Sequence, residues 1–238
     1  MVTGVISMRE IEKVGVIGAG LMGHALAIVH ALGGCNVTMQ DLKDIQITKG
    51  LQLIDSALET LVDAGTVSET EKENAKSRIT TTLDLNVAVE DADLVVEAVV
   101  ENRDVKREVF LHIDNAARDE AIIASNTSNL DIFPLVPEGR RQFCLIAHWY
   151  TPPYIIDLVD LAAGPSTDLS ILRKMEEFYL KLGKKPVLFE KFINGYVANR
   201  LQAAMGLEIN RLLDEGWASP DAIDDSVKYG LALRMALM

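Results

Sequence analysis

The sequence is short of positive charge: 23 lysines and arginines stand against 35 aspartates and glutamates, a formal net charge of −12. Nucleic-acid binding rests on cations set against phosphates, so no nucleic-acid partner is expected. Cysteine is nearly absent. Cys35 and Cys144 stand far apart, without metal-ligand or redox spacing, and read as small core residues of a reducing compartment; no metal site is expected. Aromatic residues make up only 5% of a chain that is 49% hydrophobic, an aliphatic composition suited to an α/β sheet. No apolar run is long enough to span a membrane, and the opening MVTGVISMRE lacks the apolar core of a secretory signal. The expectation is a cytoplasmic protein with no membrane contact. Internal repeats and low-complexity stretches are also missing, and 238 residues suffice for one large domain and part of a second.

What is present is organised around residues 13–41. Val14-Gly15-Val16-Ile17 is an uncharged run of the kind expected in a strand buried on both faces. Gly18-Ala19-Gly20-Leu21-Met22-Gly23 follows as G-x-G-x-x-G, then a helix, then a second strand, Asn36 to Gln40, that ends in Asp41. In this context the first glycine permits a sharp turn, the second a close backbone approach to a pyrophosphate, and the third tight packing of helix on strand. Phosphates would sit at the helix N-terminus, where free N–H groups and the macrodipole favour anions. An acid about twenty residues on accepts hydrogen bonds from a ribose hydroxyl and repels a 2′-phosphate, so Asp41 points to NAD rather than NADP.

Beyond Asp41 the chain alternates. Ile45 to Ala64 is a helix stopped by Gly65, and Ser68 with Glu71 three residues later reads as a capping box. This excursion exceeds the length of a simple crossover and is expected to project from the sheet. Strands follow at Ile79–Leu83, Ala92–Val99, Ala121–Ser125, Phe143–Ala147, Ile155–Leu161 and Pro186–Phe189, with helices at Glu101–Ala117 and Ser170–Leu182. The alternation predicts an α/β fold, a mostly parallel sheet with helices on both faces. From Asn194 the pattern turns helical, with a long helix over Gly195–Glu215 and a second opened by Ser219-Pro220. Residues 1–192 are assigned to a nucleotide-binding domain and residues 193–238 to the start of a helical one. Gly230 to Met238 is apolar and uncapped, so the second domain reads as incomplete or as packed on a partner.

Chemistry is expected at the carboxyl edge of the sheet. Ser125-Asn126-Thr127-Ser128 follows one strand and His148 ends another, with Trp149, Tyr150, Pro152, Pro153 and Tyr154 beside it. A histidine with a pKa near neutrality can remove the hydroxyl proton of a secondary alcohol as hydride leaves, and a carboxylate on its other nitrogen fixes the tautomer. Asp157 and Asp160 both stand in an apolar stretch and compete for that role; alternation alone does not separate them. Asn199 lies on the first helix of the second domain. His24, His30 and His112 fall on predicted helices and read as surface or packing residues.

GAGLMG, ADLVVEAVVEN followed by VK, ASNTS, a histidine ahead of a proline pair, and GYVANR together resemble the L-3-hydroxyacyl-CoA dehydrogenase family, from about Lys13 onward. The resemblance implies a Rossmann-type domain followed by an all-helical dimerisation domain that continues beyond residue 238 in family members. Carried over by motif position, it implies His148 as base, Asp160 in place of the family's histidine-orienting glutamate, and Ser128 and Asn199 on the substrate oxygen. Asp41, Glu101 and Lys106 fall at cofactor-contacting positions with the glycine loop. Thr151 replaces the asparagine of the usual His-x-x-Asn-Pro, a hydroxyl for an amide. The excursion carries Asp55, Glu59 and Asp63 where acyl-CoA members tend to be basic, and an acidic face is a poor cradle for CoA phosphates. The Pro-Pro-Tyr run and the ending are more similar to the branch that includes L-gulonate 3-dehydrogenase and lambda-crystallin. The implied function is NAD-dependent oxidation of the 3-hydroxyl of a 3-hydroxy acid, a small acid being favoured. The alternatives are a 3-hydroxyacyl-CoA substrate or a non-catalytic NAD(H)-binding, crystallin-like protein.

Overall fold

A computed structural model describes residues 10–237. Residues 1–9, most of the stretch read for a signal, and Met238 of the apolar ending lie outside the described residues. The chain divides into two compact units, residues 1–194 and 195–238.

The first unit grows from β1 (Lys13–Ile17), whose last four residues are buried. It is followed by α1 (Gly23–Leu32), β2 (Asn36–Gln40), α2 (Asp44–Asp63), α3 (Glu69–Ser77), β3 (Ile79–Thr82), α4 (Leu85–Val89), β4 (Leu94–Glu97), α5 (Arg103–Ala116) and β5 (Ile122–Ser125). Two short 3-10 turns lead to β6 (Cys144–Trp149), then β7 (Leu158–Ala163), α6 (Leu169–Lys181) and β8 (Lys185–Phe189). The eight strands form one sheet in the order β3-β2-β1-β4-β5-β6-β7-β8. Every pairing is parallel except β6 with β7. A parallel crossover needs a dozen or more residues, and the connection from Trp149 to Leu158 is too short for one, so β7 must return beside β6 in the opposite sense. β7 also begins later than the apolar run suggests. Ile155 and Ile156 donate their N–H groups back to the Pro152 carbonyl and belong to the turn.

Helix α1 is buried on almost every side, from Gly23 to Ala31, as befits a helix laid between the sheet and a further layer. That layer is α2 and α3. The excursion does not stand off the sheet: Ile47, Ile54, Leu58 and Leu61 of α2 and Ala75 of α3 join the same core as Leu26 and Ile28. The burial of apolar side chains all along α2 is the physical reason, each buried Leu or Ile contributing about 1.5–3 kcal/mol. α3 is held by the expected capping box, Ser68 Oγ accepting from Glu71 N and Glu71 Oε2 accepting from Ser68 N. Cys35 and Cys144 are free and buried; burial raises the first thiol to about 11 and pushes the second up further. His24 and His30 are packed inside, while His112 is exposed.

The second unit holds α7 (Ala198–Asp214), α8 (Pro220–Ser226) capped by Ser219, a π-turn over Val227–Leu231, and α9 (Ala232–Ala236). No residue of these elements is buried. Among the described residues no helix is long and apolar enough to cross a membrane.

Candidate active site

The carboxyl ends of β1, β2, β4, β5 and β6 share one edge of the sheet, and the expected residues of the first unit gather there. Gly18 turns the chain with φ +101°, its N–H held by the Gln40 carbonyl at 2.7 Å. A Cβ on Gly23 would overlap the Gly18 carbonyl, which is the close helix-to-strand packing that the third glycine allows. A Cβ on Gly20 would meet nothing within 4 Å. The loop is therefore open where a pyrophosphate would approach the start of α1. Asp41 follows β2, and its Oδ2 accepts from Ala19 N at 3.0 Å, which ties this acid to the loop itself. Leu21 is exposed and Met22 half-buried. These features fit a dinucleotide with an unphosphorylated 2′-hydroxyl.

A second group joins β4, α5 and the loop after β5. Glu97 is fully buried and was not singled out by the sequence, where it is one more residue of an apolar strand. Its carboxylate accepts from Lys106 Nζ at 2.7 and 2.9 Å, from Ser125 Oγ at 2.5 Å and from Val99 N at 2.9 Å. Lys106, only 1% exposed, also lies 3.3 Å from Glu101 Oε2. Glu101 Oε1 in turn accepts from Thr127 Oγ1, Ser128 N and Asn129 N. Burial works against the Glu101 charge, but the bonds from Thr127, Asn129 and Lys106 outweigh it and hold the carboxyl below the ordinary range. Lys106 thus fixes Glu101, and Glu101 fixes the loop that carries Ser128.

The third group joins β6 and β7. His148 and Asp160 are directly opposed in the antiparallel pairing of β6 and β7. The His148 Nδ1 to Asp160 Oδ2 distance is 3.2 Å, with both side chains under 5% exposed. The cross-strand register brings the backbones close enough for the shorter acid to reach. Asp157 is not the partner: it precedes β7 and its Oδ1 accepts from Lys184 Nζ at 3.1 Å. Tyr150, placed by the sequence only beside His148, donates its hydroxyl to Asp160 Oδ2 at 2.7 Å. Asn126 Oδ1 accepts from Trp149 N at 3.0 Å, joining the Ser128 loop to the residue after His148. Thr151 Oγ1 donates to Met22 Sδ at 3.0 Å, so the histidine loop and the glycine loop touch. Asn199 stands at the start of α7 in the second unit. Among the described residues no cluster of three or more His, Cys, Asp or Glu groups could hold a metal ion.

Comparison with known proteins gives the family. Residues 13–192 match the NAD binding domain of 3-hydroxyacyl-CoA dehydrogenase, and residues 195–238 match the C-terminal domain of the same enzyme. The chain is 36% identical over 224 residues to a 3-hydroxybutyryl-CoA dehydrogenase of Mycobacterium tuberculosis, covering 93% of this chain and 78% of that protein. It is 33% identical to lambda-crystallin of Oryctolagus cuniculus, covering 94% and 70%. The crystal structure of M. tuberculosis FadB2 superposes with a TM-score of 0.88 at 35% identity, over 94% of this chain and 79% of that one. The chain belongs to the 3-hydroxyacyl-CoA dehydrogenase family, whose members are NAD-dependent oxidoreductases acting on a CH–OH group.

Proposed function

We propose that the chain oxidises the 3-hydroxyl of a 3-hydroxy acid to the 3-oxo acid, with His148 as general base. The observation that carries this reading is the buried His148–Asp160 pair at the sheet edge whose loop touches the glycine loop. NAD, when bound, would supply the hydride acceptor for the carbon that bears the hydroxyl. Asp160 receives the Nδ1–H of His148, which leaves the Nε2 lone pair to take the hydroxyl proton, and the carboxylate then stabilises the imidazolium. Ser128 donates to the oxygen that becomes the carbonyl. Gly18, Ala19, Gly20, Leu21, Met22 and Gly23 would hold the cofactor with Asp41, Glu101, Lys106, Ser128 and Thr151. The protein acts as a homodimer joined through its second unit and works in the cytoplasm, as its two free cysteines favour.

A small acid is the favoured substrate. Lys76 pairs with Asp55 at 2.8 Å, and Lys72 pairs with Glu59 and Glu69 at 2.8 and 2.6 Å, so these two α3 cations are already engaged and not offered to CoA phosphates. The same pairing supports a second reading, a 3-hydroxyacyl-CoA substrate, because it neutralises much of the acidity that speaks against CoA. The identity to 3-hydroxybutyryl-CoA dehydrogenase points the same way. NADH oxidation with acetoacetate and with acetoacetyl-CoA, and NAD reduction with L-gulonate, separate the two. Turnover of the free acids above the thioester is expected; the reverse order establishes the CoA reading. No turnover with any of them, with NADH binding intact, returns the chain to a non-catalytic binding role. His148→Gln is expected to abolish turnover and spare NADH binding, and normal turnover in that variant would remove His148 as the base.

A further inference from the structure

Asp160 Oδ2 accepts two hydrogen bonds, and they are unequal. The phenol of Tyr150 lies 2.7 Å away, while His148 Nδ1 lies 3.2 Å away, longer than the 2.7–2.9 Å usual for a charged pair. The shorter bond comes from the residue that anchors the carboxylate. Tyr150 stands two residues beyond His148, and the period of an extended chain returns its side chain to the same face. Its ring meets the imidazole edge-on, with centroids 4.7 Å apart and planes at 77°. One phenol therefore bounds the imidazole on one side and holds its carboxylate on the other.

The geometry points to Tyr150 as a positioning residue for the dehydrogenase reaction, acting on His148 through Asp160; this rests on the proposal that His148 is the base. An aspartate has one methylene with which to reach across the strand pair, and its carboxylate can rotate about χ2. A donor on Oδ2 stops that rotation at the angle where the same oxygen faces Nδ1. Without the phenol, the carboxylate is free to turn from the imidazole, and fewer molecules hold the productive tautomer. A longer carboxylate would reach Nδ1 with less help. The phenol is thus needed because the acid is short.

The test is a cycle of Tyr150→Phe and Asp160→Glu, read by steady-state kinetics on the best substrate, NADH titration and thermal melting. Loss of a charge-assisted hydrogen bond that orients a catalytic group is expected to lower kcat about 10-fold in Tyr150→Phe. KM and NADH affinity should stay within about 2-fold, since the phenol is asked to act only on the base. In the Asp160→Glu background the same substitution should cost less than about 2-fold, a coupling that additive structural damage does not produce. An unchanged kcat, a loss carried by KM or by a lowered melting temperature, or an equal cost in both backgrounds overturns the inference. The underlying reading is judged separately: if His148→Gln remains active, the base assignment fails, whereas an inactive His148→Gln beside an indifferent Tyr150→Phe removes Tyr150 alone.

Discussion

His30 lies in the core beside β6, and replacing it with phenylalanine gives a sharp test of the packing there. Its ring is fully buried between Phe178, Trp149 and Tyr179, at centroid distances of 6.1, 6.2 and 5.9 Å. Nδ1 donates to the Leu26 carbonyl at 2.8 Å, and Nε2 has no partner. Burial in this apolar site disfavours the imidazolium and lowers the pKa from 6.5 to about 4. In the unfolded chain the group titrates near 6.5, so between these values the unfolded state binds more protons than the folded one. The stability tied to neutral His30 is thus complete above pH 6.5 and falls as the pH drops toward about 4. At about 1.36 kcal/mol per pH unit the full loss is roughly 3 kcal/mol, with about 1.4 kcal/mol gone at pH 5.5 and about 2.6 kcal/mol at pH 4.5. His30→Phe keeps the aromatic contacts and removes the titration. Its repacking cost, under about 1.5 kcal/mol, does not change with pH and cancels on comparison. Urea unfolding of both proteins at pH 7, 5.5 and 4.5 should show the variant gaining on the parent by these amounts. Parallel pH dependences would refute the argument, because they would mean that His30 is protonated without cost in the folded state.

Two further outcomes are expected. Lys106→Met leaves the fully buried Glu97 carboxylate without its cation, so urea unfolding should show a loss of about 3–5 kcal/mol, and Glu97→Gln in the same chain should recover much of it; a loss under about 1 kcal/mol would mean that water already reaches the pair. In the second unit Val197, Leu201, Met205 and Leu207 are 49, 60, 37 and 73% exposed, and Leu231, Leu233, Met235 and Leu237 are 40, 59, 56 and 88% exposed. Light scattering should therefore give twice the 26.1 kDa chain mass, and a monodisperse monomer would count against the dimer.

The glycine loop, the strand ahead of it, Asp41, the capping box and the helix and strand alternation were legible in the sequence because each is written within a few residues of itself. Turn chemistry, capping and hydrophobic period act locally. The excursion after Asp41 was harder, since its length suggested projection while its buried face could find α1 only in three dimensions. Glu97 was hidden for a similar reason: a single acid in an apolar strand reads as nothing until Lys106, nine residues on, turns back to neutralise it.

The choice between Asp157 and Asp160 shows most clearly where local reading stops. Both are acids near the same strand, and both are close in sequence to the turn after His148. What separates them is register, and register is set by where the turn ends and β7 begins. Ile155 and Ile156 are tied to Pro152, so the strand cannot start before them. With Trp149 opposite Val159, His148 falls opposite Asp160, while Asp157 is left at the mouth of the turn for Lys184. A shift of one residue would turn Asp160 to the other face of the sheet and leave a carboxylate buried without a donor, a cost that the apolar core cannot offset. The same backbone bonds that close the turn therefore select the acid that faces His148.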